Sequence, residues 1–163
     1  MQAGRVVFGA MDEVVFGRPA SEAIVEQLDR LRASRAFLMV SGTLNRETDT
    51  IANIRRALGS RCVATFDTII DGAKAVQLCL GNDIRIPDDI DRIRAGRGPA
   101  PQLVAPTVRQ ISVPTTIAGG EFSATAGVTN EKTKVKEALR HPLLMPRATI
   151  LDPWLGAHTP EWL

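Results

Sequence analysis

The feature that most constrains this chain is an alternation of apolar runs with apolar stripes at helical spacing. The run AFLMV at 36–40 is continuous, the pattern of a strand buried on both faces. SGT follows at 41–43. Residues 47–58 then place Ile51, Ile54 and Leu58 on one helical face, and Gly59 fits the stop. CVATF at 62–66 is a second short apolar strand. Strand, helix, strand in that order predicts a parallel sheet with helices on its faces. In such sheets ligands bind beyond the C-terminal ends of the strands, and Ser41-Gly42-Thr43 stands at one such end.

Elements before and after this unit extend the α/β reading. Residues 5–9 and 13–17 read as a β-hairpin turning through Ala10-Met11-Asp12. Pro19-Ala20-Ser21 opens a helix, with Ser21 as N-cap, Glu22 near the positive end of the dipole, and Ile24, Leu28 and Leu31 as its stripe. That helix should end near Ala33. Residues 71–80 read as a helix, with Ala73, Val76, Leu78 and Leu80 as its apolar residues. Pro87-Asp88-Asp89 starts another short one. Residues 96–106 read as loop, 110–113 and 148–151 as strands, and the segment around Lys132, Lys134 and Lys136 as polar. Strands 36–40, 62–66 and 110–113 are expected at the centre of one common sheet.

Composition excludes several classes. With 44% hydrophobic and 23% charged residues the chain can bury enough apolar surface to fold. Twenty Lys+Arg against 18 Asp+Glu leave a net charge of only +2, and acids lie among the bases almost everywhere. There is no Tyr, and the Phe and Trp residues are scattered. A nucleic-acid partner is therefore not expected. No apolar run approaches the roughly 20 residues of a membrane helix, and no secretory leader is visible, so a soluble, cytoplasmic protein is expected. Cys62 and Cys79 sit in apolar surroundings without a C-x-x-C pattern and read as free thiols. His141 and His158 are too few for a metal centre and read as loop residues. There is no G-x-S-x-G, Walker A or G-x-G-x-x-G motif.

The strongest local signal is VPTTIAGGE at 113–121. A strand ending in two hydroxyl residues and two glycines offers small donors and bare backbone to a polar ligand, although a glycine turn whose threonines satisfy backbone groups has the same sequence. VPTT at 113–116, GGEFSATAGVT at 119–129, KVK at 134–136, ILDP at 150–153 and TP at 159–160 together resemble the iron-containing alcohol dehydrogenase family, closest to its maleylacetate reductase branch. FGAMD at 8–12, VVFG at 14–17 and the strand at 36–40 fit the same branch.

The resemblance implies a Rossmann-like nucleotide domain followed by a helical domain that holds iron or zinc, with NAD(H) or NADP(H) between them. It implies hydride transfer to a keto or enone acid, as when maleylacetate becomes 3-oxoadipate in aromatic-compound degradation. The nicotinamide would carry the chemistry and the protein would position it. Carried over residue by residue, Ser41 and Gly42 would flank the adenosine ribose, and Asp71 and Lys74 would stand on the helix below a phosphate loop. Thr115 and Thr116 would line the ribose and nicotinamide side, and Lys136 would reach the ribose. No catalytic residue and no metal ligand is implied within 1–163.

Two departures accompany the resemblance. The family's G-G-G-S-x-x-D-x-x-K segment survives only as DGAK at 71–74, preceded by DTII at 67–70. The helix and strand that the family carries before that segment have no room, because a crossover between parallel strands takes about a dozen residues or more. An internal deletion is the reading. The helical metal domain would begin where the sequence reaches Glu161-Trp162-Leu163, so 1–163 is expected to be an incomplete dinucleotide-binding domain. A small-molecule substrate, poor nucleotide binding by this chain alone and self-association, as a homodimer or larger, are the remaining expectations. The rival reading is a non-catalytic remnant that folds and self-associates, with at most weak nucleotide binding.

Overall fold

The computed structural model describes residues 9–68, 72–94, 101–116 and 118–157. It is a mixed α/β structure with parallel strands: β1 (Glu13–Phe16), α1 (Ala20–Arg30), β2 (Ala36–Met39), α2 (Gly42–Glu47), α3 (Thr50–Leu58), β3 (Cys62–Phe66), α4 (Ala73–Gly81), β4 (Ile111–Ser112), β5 (Thr125–Asn130), β6 (Val135–Arg140), β7 (Ala148–Leu151) and α5 (Pro153–Gly156). The first arm of the expected N-terminal hairpin and the Asp71 end of the fourth helix lie outside the described residues. The second arm, β1, pairs in parallel with β7, matching Glu13 to Ala148 and Phe16 to Leu151.

The parallel strands fall into two sheets, β1-β7-β4 and β2-β3. The expectation of one sheet through 36–40, 62–66 and 110–113 is thus corrected: β2 and β3 pair, and β4 pairs with β7 instead. The physical reason is the short connection from β3 to α4. Residues 67–72 are too few to hold a crossover and a further strand between β3 and α4.

A helix layer spans both sheets. Ala23, Ile24 and Leu28 of α1 and Ile51, Ile54 and Leu58 of α3 share one core with Leu38 of β2, Ile150 of β7 and Leu155 of α5. The stripes on these helices are those at 3.6-residue spacing in the sequence. A second core joins Ala75 and Leu78 of α4 to Ala126 of β5, Leu139 of β6, Ile93 and Leu144. Here β5 and β6 form an antiparallel hairpin, from Thr125 opposite Arg140 to Asn130 opposite Val135.

Local details depart from expectation for identifiable reasons. The helix expected at 47–58 is two helices. Thr48 Oγ1 donates to Leu44 O at 2.7 Å and accepts from Thr50 N at 3.3 Å, so a side chain takes over backbone partners at the break. Ser21 lies inside the first turn of α1, and Pro19 holds the cap position. α1 ends at Arg30, three residues short of Ala33. Leu80 is exposed, and Ala75, Gln77 and Leu78 form the buried face of α4. The strand at 36–40 is not covered on both faces. Leu38 turns to the helices, while Phe37 on the other face is 55% exposed, beside Ala64 and Phe66 of β3. Gly59 does terminate α3, with φ +56°.

Candidate nucleotide-facing site

Ser41 and Gly42 lie just past the end of β2, as expected. Ser41 is the cap residue of α2, and its side chain makes no capping bond. A Cβ built on Gly42 would stand 2.7 Å from Arg46 Nη1 and 2.7 Å from the backbone O of Asp67. Glycine is therefore required by close approach: the Arg46 guanidinium folds back over it, and the end of β3 closes against it. Asn45 Nδ2 donates to Asp67 Oδ2 at 2.8 Å, drawing α2 onto the same strand end. The ends of β2 and β3 are thus capped by the chain's own polar groups. Beside them, Arg46, Glu47, Thr48 and Asp49 line a shallow open cavity of about 210 Å³.

Thr115 and Thr116 follow β4 and are half-buried. Three residues on, Gly119 takes a left-handed conformation, φ +73°, and opens a single 3-10 turn over Gly120–Phe122. Lys74 comes from the first turn of α4 to meet this turn. Its Nζ donates to the carbonyl oxygens of Gly120 and Ser123. The structure therefore brings Lys74 to the loop that follows Thr115 and Thr116. Lys136 is on the hairpin, opposite Thr129. Its stem lies over Gly127, where a Cβ would come within 2.6 Å of Cε. Asp71 lies outside the described residues.

Between β3 and α4 the sequence DTIIDG offers little of what a pyrophosphate asks of a backbone loop. That role needs successive backbone N–H groups made approachable by glycines, and the sequence from Asp67 to Gly72 supplies one glycine, the cap residue of α4. Among the described residues no group of three or more His, Cys, Asp or Glu is placed to hold a metal. His141 serves the local backbone, its Nδ1 accepting from Leu143 N at 3.1 Å. His158 lies outside the described residues. No described helix is long and apolar enough to cross a membrane.

One residue at this end of the sheet carries more than its motif suggested. Asp152, just past β7, accepts from Ala20 N at 2.7 Å through Oδ2 and from Trp154 N at 2.9 Å through Oδ1. One carboxylate thus serves the starts of α1 and α5. The sequence signal was an acid between a strand and a helix-opening proline, but its link to Ala20 is not local.

Titration is perturbed away from this end. Asp12, before β1, is held below the ordinary 3.8 by hydrogen bonds from Arg147 and Arg30. Burial lowers Arg109, with Arg147 adding to the effect, and burial raises the Cys79 thiol.

Comparison with known proteins agrees with this geometry. The sequence profile of the iron-containing alcohol dehydrogenases matches residues 68–153. A maleylacetate reductase from Burkholderia cepacia is 31% identical over 155 residues, which cover 90% of this chain and 42% of that protein. Dehydrogenase ALT3 from Alternaria alternata is 35% identical over 102 residues, 59% of this chain and 26% of that protein. Among solved structures, sulfoacetaldehyde reductase from Bifidobacterium kashiwanohense in complex with NAD+ matches with TM-score 0.75 at 16% identity, covering 96% of this chain and 49% of that chain. Maleylacetate reductase from Agrobacterium tumefaciens matches with TM-score 0.63 at 21% identity, covering 98% and 46%. The chain spans less than half the length of these relatives. By profile, sequence and fold together, the chain belongs to the iron-containing alcohol dehydrogenase family.

Proposed function

We propose that this chain represents the nucleotide-binding part of an NAD(P)-dependent oxidoreductase of the maleylacetate reductase kind, acting on a keto or enone acid. On its own it binds nicotinamide dinucleotides poorly and supports no turnover. The observation that carries the second statement is the sequence between β3 and α4, where residues 67–72 (DTIIDG) hold one glycine and are too few for a crossover and a further strand. The relatives support the first statement: one is named a maleylacetate reductase, and another was solved with NAD+. Neither the residues between β3 and α4 nor the described acids and histidines fit a pyrophosphate or a metal, so no hydride step is assigned to this chain. Calorimetric titration with NADH and with NADPH tests the reading. Weak or undetectable binding is expected, and micromolar affinity for either nucleotide would overturn it.

A specific observation favours a second reading, a non-catalytic module that self-associates. Phe37 and Phe66 stand exposed on the uncovered face of β2-β3, and Phe16 and Trp154 are 76% and 58% exposed near the end of β1 and β7. Apolar surface of this kind marks contact sites. Sedimentation velocity over a concentration series should show dimers or larger species. A clean monomer at high concentration would remove this reading.

A further inference from the structure

We infer that Lys74 is a positioning residue, a strap that fixes the wall after β4 to the start of α4, and not a ligand contact. Its ammonium bridges both ends of one turn: Gly120 O accepts from Lys74 and from Ser123 N at 3.2 Å, and Ser123 O accepts from Lys74. Within the turn, Phe122 N donates to Gly119 O at 3.1 Å. Gly119 opens it with φ +73°, and Gly119 and Gly120 bring no side chains to pack. The partners lie 46 and 49 residues along the chain from Lys74. The strap is therefore tertiary and not part of local helix structure.

Local physics makes this location telling. A cation in the first turn of a helix faces the positive end of the macrodipole. Its place there is offset by two carbonyl oxygens presented by another segment. An ammonium suits such a bridge, being compact and carrying three donors and no acceptor. Both ends of the turn are drawn to one point, so Gly119–Ser123 and the N-terminal turn of α4 move as one wall. The inference rests on the proposed function only for what that wall would face.

Hydrogen–deuterium exchange on the whole chain tests the strap, comparing wild type with Lys74→Met and Lys74→Arg. In Lys74→Met, peptides spanning 118–124 should exchange about tenfold faster, while β5-β6 and α1 keep wild-type rates. Lys74→Arg should recover most of the protection, because a guanidinium can also donate to two carbonyls. Exchange of 118–124 within about twofold of wild type would overturn the proposal. So would equal acceleration through α4 and the hairpin, which would mark a general packing role. A wild-type measurement covers a variant that fails to fold. Nitrogen-detected spectra of the lysine ammonium groups should show Lys74 exchanging its protons with water more slowly than the other lysines, and a Lys74 signal at the free rate would overturn the strap. Titration with NADH reports separately on nucleotide binding, so the two readings can fail independently.

Discussion

Replacing Asp152 tests how this fold holds two helix starts with one side chain. In Asp152→Ala both acceptors vanish: Oδ2, 2.7 Å from Ala20 N, and Oδ1, 2.9 Å from Trp154 N. The two losses are unequal. Ala20 is 2% exposed, so water does not readily replace the lost partner, and an unsatisfied buried donor costs about 1–3 kcal/mol. Trp154 is 58% exposed, and its N–H can turn to solvent, leaving the smaller end of a capping loss, about 0.5–1 kcal/mol. Together the change should cost about 1.5–4 kcal/mol. At about 2–4 °C per kcal/mol for a chain of this size, the melting midpoint should fall by roughly 3–16 °C. Asp152→Asn keeps one acceptor, which can stay with Ala20 while its amide NH2 faces the Trp154 side, and should lose about half as much. Urea unfolding followed by circular dichroism, with the slope checked for constancy, measures both variants. If Asp152→Ala lies within 0.5 kcal/mol of wild type, a threshold set at the ordinary scatter of surface substitutions, the double cap contributes nothing. If Asn costs as much as Ala, the two-acceptor account is wrong.

Two further outcomes follow from geometry and charge. Gly42→Ala should destabilise by about 1–3 kcal/mol in thermal unfolding, because the new Cβ would meet the backbone O of Asp67 at 2.7 Å. Adding Arg46→Ala should not restore stability, since the backbone contact remains. Asp12, bonded to Arg147 and Arg30, has a folded pKa below its ordinary 3.8. Its contribution is therefore present above the unfolded value and lost as pH falls through the folded one. In urea titrations across the acid range, Asp12→Asn should flatten that loss below about pH 4, and an unchanged acid limb would contradict it.

What could be read from the sequence is what depends on near neighbours. The apolar runs at 36–40, 62–66 and 148–151 became β2, β3 and β7, and Ile51, Ile54 and Leu58 became one buried face. The hairpin β5-β6 was hidden because its second strand, VKEALR, looks polar. Glu137 is buried there through an ion pair with Arg94 at 2.8 Å, a partner 43 residues away. The break between α2 and α3 depends on which backbone groups Thr48 reaches. At the candidate site, Ser41, Gly42, Thr115 and Thr116 stand at strand ends as read. Lys74 and Asp152 could not be assigned their contacts, since their acceptors and donors come from distant segments.

The split sheet shows why folding and ligand binding place different demands on the same strands. Stability asks chiefly that apolar surface be buried, and α1 and α3 meet that demand by sharing one core with residues of both sheets. The separation into two sheets leaves that layer in place, because the helices pack on side chains and not on the hydrogen bonds between strands. Binding a dinucleotide asks for more: adjacent strand ends, a backbone loop between them, and a helix start aimed at the phosphates. In this chain α2, Arg46 and Asp67 close around the ends of β2 and β3, while Lys74 is engaged by the turn after β4. The core's demand can therefore be met whether or not the ligand's is.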